Sequence, residues 1–220
     1  MRRFRFAYLL VSLVFVAFAR PFIGEQILGL AVIDVLLFIT LIAGAYAVIE
    51  RKSLFFIVAG LGLISAGAQI VFVVSGSYSA VGIFLTATLL FYGSVTCASM
   101  LTLFGHQARV TRDTLFQAIS VYLLMGMIGA LAYALLELAS PGSFKFTQDL
   151  AGIDARFERF LGFSFTTLTT LGYGNIAPAT PRADAMTTLQ AVCGQIYLAI
   201  VIARLVSIQV GQNAKSRVSG

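Results

Sequence analysis

Long apolar runs, separated by short polar segments, dominate the sequence. Six of these runs approach or exceed the roughly 20 residues that a helix needs to cross a membrane. They lie near residues 4–22, 27–49, 53–74, 81–104, 115–138 and 184–210. The pattern therefore predicts an all-α membrane protein with six transmembrane helices.

The first apolar run also has features of a secretory signal peptide. Arginines precede it, and Ala17 and Ala19 are spaced like the small residues of a cleavage site. Against cleavage, Arg20 and Pro21 would make an awkward mature N-terminus. We expect an uncleaved first helix.

The segment between the fifth and sixth runs, residues 139–182, is too long for a turn and has its own pattern. Residues 156–170 read as an amphipathic helix too short to cross, which we expect to enter the membrane halfway and return as a strand. Irregular backbone is tolerated at that depth only where it lines a water-filled path or is buried in protein. Beyond the strand, Pro178 predicts an extended exit, and Thr180-Pro181 predicts the start of the last helix.

The returning strand reads Thr169-Thr170-Leu171-Gly172-Tyr173-Gly174-Asn175, called here the filter stretch. Gly172 and Gly174, two residues apart, allow left-handed backbone conformations that other residues resist. Successive carbonyl oxygens can then point the same way and replace the hydration shell of an alkali cation. The stretch closely resembles the TVGYG selectivity filter of the potassium channel family, from which residues 170–174 differ only by Leu for Val. The resemblance extends over residues 115–210 and is to the small bacterial ion-channel type.

That resemblance implies a role for each residue of the filter stretch. Potassium would bind the backbone carbonyls of Thr170, Leu171, Gly172 and Tyr173, with Gly174 completing the filter and the Thr170 hydroxyl at its inner mouth. The Tyr173 ring would point away from the pore and wedge against the short helix. Support is expected from Thr166, Thr167, Thr169 and Asn175. The alternative is a re-entrant loop that only packs.

Two departures from the family pattern concern this support. The family usually has Asp after the second glycine and often an acid on the short helix, where this chain has Asn175 and Thr166. Aromatic residues, commonly tryptophans, usually brace the filter at the positions of Gly162 and Phe163. We therefore expect a filter that is less rigid than the family norm, with selectivity retained and slow inactivation altered.

The last apolar run resembles the inner helix that lines the cavity of these channels. Gly194 falls where a hinge glycine often lies, although a packing contact is an equal alternative. Gln195, Leu198 and Ile202 share one helical face, which the resemblance turns toward the pore axis. For Gln195, an interhelical hydrogen bond is an equal alternative.

The filter stretch occurs once in the chain, and one carbonyl ladder cannot surround an ion. Four copies around an axis can, and closed symmetry of this kind is usual for oligomers. We therefore expect a homotetramer.

Composition supports the membrane assignment and charge orients the chain. Of all residues, 59% are hydrophobic and 11% charged, and the mean hydropathy is +0.95, whereas soluble domains carry about 25% charge. Ten of the fifteen Lys and Arg residues fall in segments that are inner if the N-terminus is inside. The positive-inside rule then predicts a protein of the cell (inner) membrane with both termini cytoplasmic. The run 81–104 contains no Lys or Arg, so a classical voltage sensor is not expected.

These expectations divide the chain into three parts. Residues 1–112 form a four-helix N-terminal membrane domain, residues 113–212 the pore domain and residues 213–220 a short cytoplasmic tail without room for a ligand-binding domain. The one intramembrane carboxylate of the N-terminal domain, Asp34, is either functional or satisfied by an interhelical partner. Cys97 and Cys193 are expected to be buried.

The leading hypothesis is a potassium-selective channel that conducts passively and is not classically voltage-gated. The alternatives are a weakly selective cation channel and a non-conducting regulatory subunit. The expected partners are identical subunits, membrane lipid and K+, with no nucleic acid and no cofactor. No catalytic constellation is evident in the sequence, so an enzyme is not expected.

Overall fold

The computed structural model describes residues 5–18, 39–47, 52–75, 78–105, 111–147 and 153–218. These residues are mostly helical, as the apolar runs predict. Their helices, in chain order, are α1 (Arg5–Phe18), α2 (residues 39–47), α3 (Lys52–Ser75), α4 (Tyr78–Leu103), α5 (Arg112–Ala139), α6 (Ile153–Leu168) and α7 (Pro181–Val218). Two short strands, β1 (Phe144–Phe146) and β2 (Ile176–Pro178), pair antiparallel.

Three of the described helices are long and apolar enough to cross a membrane, over Ala80–Leu103, Arg112–Ala139 and Pro181–Ser207. The apolar parts of α1 and α3 are shorter, between 10 and 17 residues. The chain is thus a helical membrane protein, whereas the count of six spans stays a prediction. The second predicted span is described only over residues 39–47, and Asp34 lies outside the described residues.

The main hydrophobic core is built from residues of α1 to α6, with α5 packed against both α1 and α4. Leu9 and Leu13 on α1, Phe91 and Tyr92 on α4, and Leu124 on α5 are fully buried there. Helices that are apolar all round are typical of membrane spans, because both the core side and the lipid side are apolar. The same three helices also expose large apolar side chains on their outer faces.

The first helix, α1, packs along α5, the helix that precedes α6 and the filter stretch. The Ser120 hydroxyl of α5 lies 3.4 Å from the Phe6 carbonyl oxygen, to which it donates. The Phe18 ring lies 5.4 Å from the Phe165 ring of α6, centroid to centroid. These contacts join α1 to the helices around the filter stretch, whereas the uncleaved first helix stays a prediction.

The loop after α5 is organised by a buried carboxylate. Glu137 accepts the backbone N–H of Gly142 at 3.0 Å and that of Phe144 at 3.1 Å. Gly142 has a left-handed φ of 86°, which glycine adopts without strain. The chain then enters β1, where Phe144 lies opposite Pro178 of β2.

The start of the last helix is confirmed, and the end of the re-entrant helix is corrected. The Ala183 N–H bonds to the Thr180 hydroxyl at 3.3 Å, and α7 begins at Pro181 as predicted. The predicted helix over residues 156–170 instead ends earlier, because Thr170 has a left-handed φ of 60° and cannot continue a right-handed helix.

The two cysteines differ from expectation. Cys97 on α4 and Cys193 on α7 are free thiols exposed on the surface of the single chain. The prediction that both are buried is therefore wrong. Because α4 and α7 are apolar on every side, the sequence pattern cannot indicate which face of either helix is covered.

Candidate functional site

The backbone of the filter stretch alternates in handedness. Thr170, Gly172 and Gly174 have φ values of 60°, 57° and 76°, whereas Leu171 and Tyr173 between them do not have positive φ. Within the described chain, no hydrogen bond is donated to the carbonyl oxygens of residues 170–174. The stretch therefore offers a run of backbone oxygen atoms free to bind something outside the single chain.

The left-handed conformation of Thr170 was not foreseen, since a β-branched residue rarely adopts it. The conformation costs about 1–2 kcal/mol in a residue with a Cβ atom. Strained backbone of this kind clusters at functional sites, where the surrounding structure enforces it. Here two turn bonds enforce it, from Thr170 N–H to the Thr167 carbonyl at 3.0 Å and from Thr169 N–H to the Phe165 carbonyl at 3.0 Å.

The start of the filter stretch is anchored to the end of α6 through one carbonyl group. The Thr166 carbonyl oxygen accepts the N–H of Leu171 at 2.8 Å and that of Gly172 at 3.3 Å. The Thr166 and Thr169 hydroxyls instead donate back to helix carbonyls, at 3.0 Å and 2.7 Å. Thr166 thus contacts the filter stretch through its backbone, and its side chain points back along the helix.

The exit of the filter stretch is held by the small sheet. The Asn175 carbonyl accepts the Thr147 N–H at 3.1 Å and the Thr147 hydroxyl at 3.0 Å. On the other side of the ladder, the Ala179 N–H donates to the Ser143 carbonyl at 2.8 Å. Asn175, named from the sequence as a support residue, therefore takes part through its backbone, with Thr147 as a partner that the sequence did not reveal.

An aromatic cluster fixes α6 from behind. The Phe163 ring lies 5.4 Å from Tyr133 of α5 and 5.9 Å from Phe144 of β1, centroid to centroid. Phe160 joins the same cluster, 5.0 Å from Phe144. Phe163, one of the two bracing positions, thus packs within its own chain against α5 and β1. Gly162, the other, has no atom within 4 Å of an added Cβ.

The Tyr173 ring does not pack against α6 of the same chain. Its side chain is 74% exposed, and the described residues include no ring contact to it. Leu171 is 57% exposed, and every residue of the filter stretch is classed as exposed in the single chain.

The end of α6 also contacts the last helix and α5. A Cβ added to Gly194 would lie 2.7 Å from the Leu168 carbonyl oxygen, so only glycine allows this approach of α7 to α6. The Tyr122 hydroxyl donates to that same carbonyl at 3.3 Å. Tyr197 stacks on Tyr122 with ring centroids 6.1 Å apart. Of the two alternatives for Gly194, the structure therefore contains the packing contact.

The remaining cavity residues lie in the second half of the apolar part of α7. Gln195 and Ile202 are exposed, and Leu198 is half-buried beside Tyr197. Only 17% of the most apolar part of α7 is buried within the chain, against 56% for α5. A large apolar face of α7 is thus left without a partner in the single chain.

Two comparisons with known proteins bear on this segment. Residues 120–210 match a family model described as "Ion channel". A curated relative, the inward rectifier potassium channel Kirbac3.1 of Paramagnetospirillum magnetotacticum, is 38% identical over 84 residues.

The matched region covers 36% of this chain and 24% of that relative, so the chain spans about a quarter of the relative's length. The family match includes α6, the filter stretch and most of α5 and α7. Residues 120–210 are thus similar to the ion channel family, and the resemblance of this segment to the potassium channel family is confirmed.

Proposed function

We propose that the protein is the subunit of a potassium-selective channel that conducts K+ passively. The observation that carries the proposal is the alternating backbone at Thr170, Gly172 and Gly174, whose carbonyl oxygens accept no hydrogen bond in the described chain. This backbone lies at the end of a short helix, inside a segment that matches the ion channel family. The relative with 38% identity is named as a potassium channel, which supports the choice of ion.

The proposed ion sites are the carbonyls of Thr170, Leu171, Gly172 and Tyr173, with the Thr170 hydroxyl at the inner mouth and Gly174 completing the ladder. Rings of carbonyl oxygens replace the water that K+ sheds on entry. Because the partly negative C-terminal end of α6 precedes these sites, it would further stabilise a cation there. No side-chain carboxylate is required for this form of binding.

A single chain cannot enclose an ion, so the proposed functional unit is a homotetramer. The whole filter stretch and a large apolar face of α7 are exposed in the single chain, which supports a tetramer. Around a central axis, neighbouring subunits or the water of the pore would contact both surfaces. In that assembly Gln195, Leu198 and Ile202 would line the cavity. The exposed Tyr173 ring would contact the short helix of a neighbouring subunit.

The remaining parts of the proposal concern the membrane. Residues 113–212 would form the pore domain and residues 1–112 a helical domain beside it, with the tail over residues 213–220. The protein would lie in the cell (inner) membrane with both termini cytoplasmic, in contact with lipid and with no enzymatic activity or cofactor. Gating would not use a classical voltage sensor, because α4 contains no Lys or Arg.

The test is K+ flux from liposomes that contain the purified protein, with and without Ba2+, followed by bi-ionic K+/Na+ reversal potentials. We expect Ba2+-sensitive flux, a K+ permeability well above that of Na+, and four subunits by native mass spectrometry. A permeability ratio near one would replace the proposal by a weakly selective cation channel. Intact oligomers without flux would favour a non-conducting regulatory subunit.

A further inference from the structure

A chain of hydrogen bonds links the three helices that surround the filter stretch. The Tyr133 hydroxyl of α5 donates to Oε1 of Gln190 on α7. Nε2 of Gln190 donates to the Ser164 hydroxyl of α6 at 2.7 Å and to the Met125 carbonyl at 3.4 Å. The Ser164 hydroxyl in turn donates to the Gly126 carbonyl at 2.6 Å. The Gln190 amide is therefore the one group that bonds to both α5 and α6 in this network.

The neighbouring backbone leaves room for this network and for nothing larger. A Cβ on Gly129 would lie 2.1 Å from the Gln190 Nε2 atom and 2.5 Å from the Ser164 Oγ atom. One turn away, a Cβ on Gly126 would lie 2.4 Å from the Phe165 ring. The two glycines thus let α6 and the Gln190 side chain approach the α5 backbone closely.

The polar groups of the network have all of these hydrogen-bond partners only when the Gln190 amide is present. Its oxygen accepts one hydroxyl, and its nitrogen donates to a hydroxyl and to a carbonyl. An aliphatic side chain at position 190 would leave the Tyr133 hydroxyl and the Met125 carbonyl without these bonds inside an apolar helix bundle. Unsatisfied polar groups in such surroundings are costly and drive local rearrangement.

The network lies close to the residues that anchor the filter stretch. Ser164 precedes by two residues Thr166, whose carbonyl accepts the N–H groups of Leu171 and Gly172. Any shift of α6 along or about its axis therefore moves the group that fixes the start of the filter stretch. Positions 166 and 175 are Thr and Asn, so neither provides a carboxylate that could hold the filter stretch by itself.

We propose that Gln190 is a positioning residue for ion conduction. From α7 it bonds to both α5 and α6, and it thereby holds α6 and, through α6, the filter stretch. The inference rests on the proposed channel function for its electrical consequences. Loss of the amide lets α6 move, so the filter stretch changes conformation more readily during conduction. The network takes the place of the acid and tryptophan bracing that the sequence lacks.

The test compares Gln190→Leu with Gln117→Leu in the full-length reconstituted protein. Gln117 is a buried glutamine in the same helix bundle, where Gln190 is half-buried, and it bonds to Ser99 and Thr102 of α4, away from α6. We expect Gln190→Leu to speed the decay of K+ current by at least about three- to tenfold, the factor that corresponds to the loss of one of the three hydrogen bonds. We also expect a lower K+/Na+ permeability ratio, and both quantities unchanged in Gln117→Leu.

A second readout does not depend on conduction. Hydrogen exchange of the amides in residues 166–175 should be faster in Gln190→Leu than in the wild type and unchanged in Gln117→Leu. Unchanged exchange together with unchanged current decay would overturn the inference. If the wild type conducts no K+, the proposed function fails, and the exchange result alone still decides the role of Gln190.

A milder variant covers the case in which Gln190→Leu does not assemble. Tyr133→Phe removes one hydroxyl and keeps the ring that packs against Phe144 and Phe163. We expect a smaller change in the same direction, in both current decay and exchange. Wild-type values for this variant, in a protein with normal assembly, would contradict the inference.

Discussion

Single backbone angles are the decisive feature at the residue scale. Gly172 and Gly174 have the left-handed φ that the spacing of the two glycines predicted. Thr170 has it as well, and the sequence could not have revealed this because threonine usually avoids the region. The neighbouring bonds to Thr167 and Phe165 compensate for the strain, and such tertiary compensation cannot be deduced from residue type.

Gly172→Ala tests whether the left-handed angle is needed. At a φ of 57° the added Cβ costs about 1–2 kcal/mol, although it meets no atom within 4 Å in the single chain. We expect the filter stretch to relax toward another conformation and K+ flux to be lost in assembled oligomers. The measurement is liposome flux together with native mass spectrometry.

A matched control is Gly67→Ala on α3. This glycine has no positive φ, and its added Cβ also meets nothing within 4 Å. The control should therefore conduct like the wild type. Normal flux in Gly172→Ala would show that the left-handed angle is not required for conduction.

At the element scale, the sequence predicted the helices far better than the connections between them. The amphipathic pattern indicated α6, and Thr180-Pro181 gave the start of α7, because both signals lie within one element. The β1–β2 pair was not predicted, since strands of three residues are too short for a periodic pattern. The partners Thr147 and Gln190 were missed for a related reason: each contacts a residue far away in the chain.

The loop that leads into β1 provides a prediction at this scale. Glu137 uses both carboxylate oxygens to accept N–H groups, from Gly142 and Phe144. In Glu137→Gln one of these oxygens becomes an NH2 group that faces a donor. An unsatisfied buried donor costs about 1–3 kcal/mol, so we expect a looser β1–β2 pair and a lower thermal stability of the oligomer.

The measurement is thermal unfolding of the reconstituted protein, with hydrogen exchange over residues 142–147. Exchange should rise there first, because the two lost or weakened bonds lie in that loop. The filter exit should follow, since Asn175 is bonded to Thr147. Equal melting temperature and equal exchange in Glu137→Gln and the wild type would contradict this role of the carboxylate.

At the scale of the whole molecule, the N-terminal helices contact the segment that matches the ion channel family at several places, two of which join α1 to α5 and the end of α4 to α7. One is the packing of α1 along α5, described by the contact between Ser120 and Phe6. The other lies beyond the end of α4, where Arg204 of α7 donates to the Phe104 carbonyl at 3.0 Å and to the Gly105 carbonyl at 2.5 Å. From the sequence, Arg204 counted only as one of the Lys and Arg residues of the inner segments. A contact between its guanidinium group and another helix has no local signature in the sequence.

Arg204→Gln is the prediction that tests this second contact. The guanidinium binds two carbonyls at the end of α4 and lies over the Phe104 ring, 5.4 Å from its centroid. The shorter neutral amide cannot reach both carbonyls, and the net loss should be about 1 kcal/mol because the group is partly exposed. If α4 restrains α7 through this contact, the variant should change the open probability of single channels and should lower the melting temperature slightly.

Arg182→Gln, at the opposite end of α7 and exposed, removes the same charge without such a contact and should leave both quantities at wild-type values. Equal behaviour of the two variants would mean that α4 does not act on α7 through Arg204.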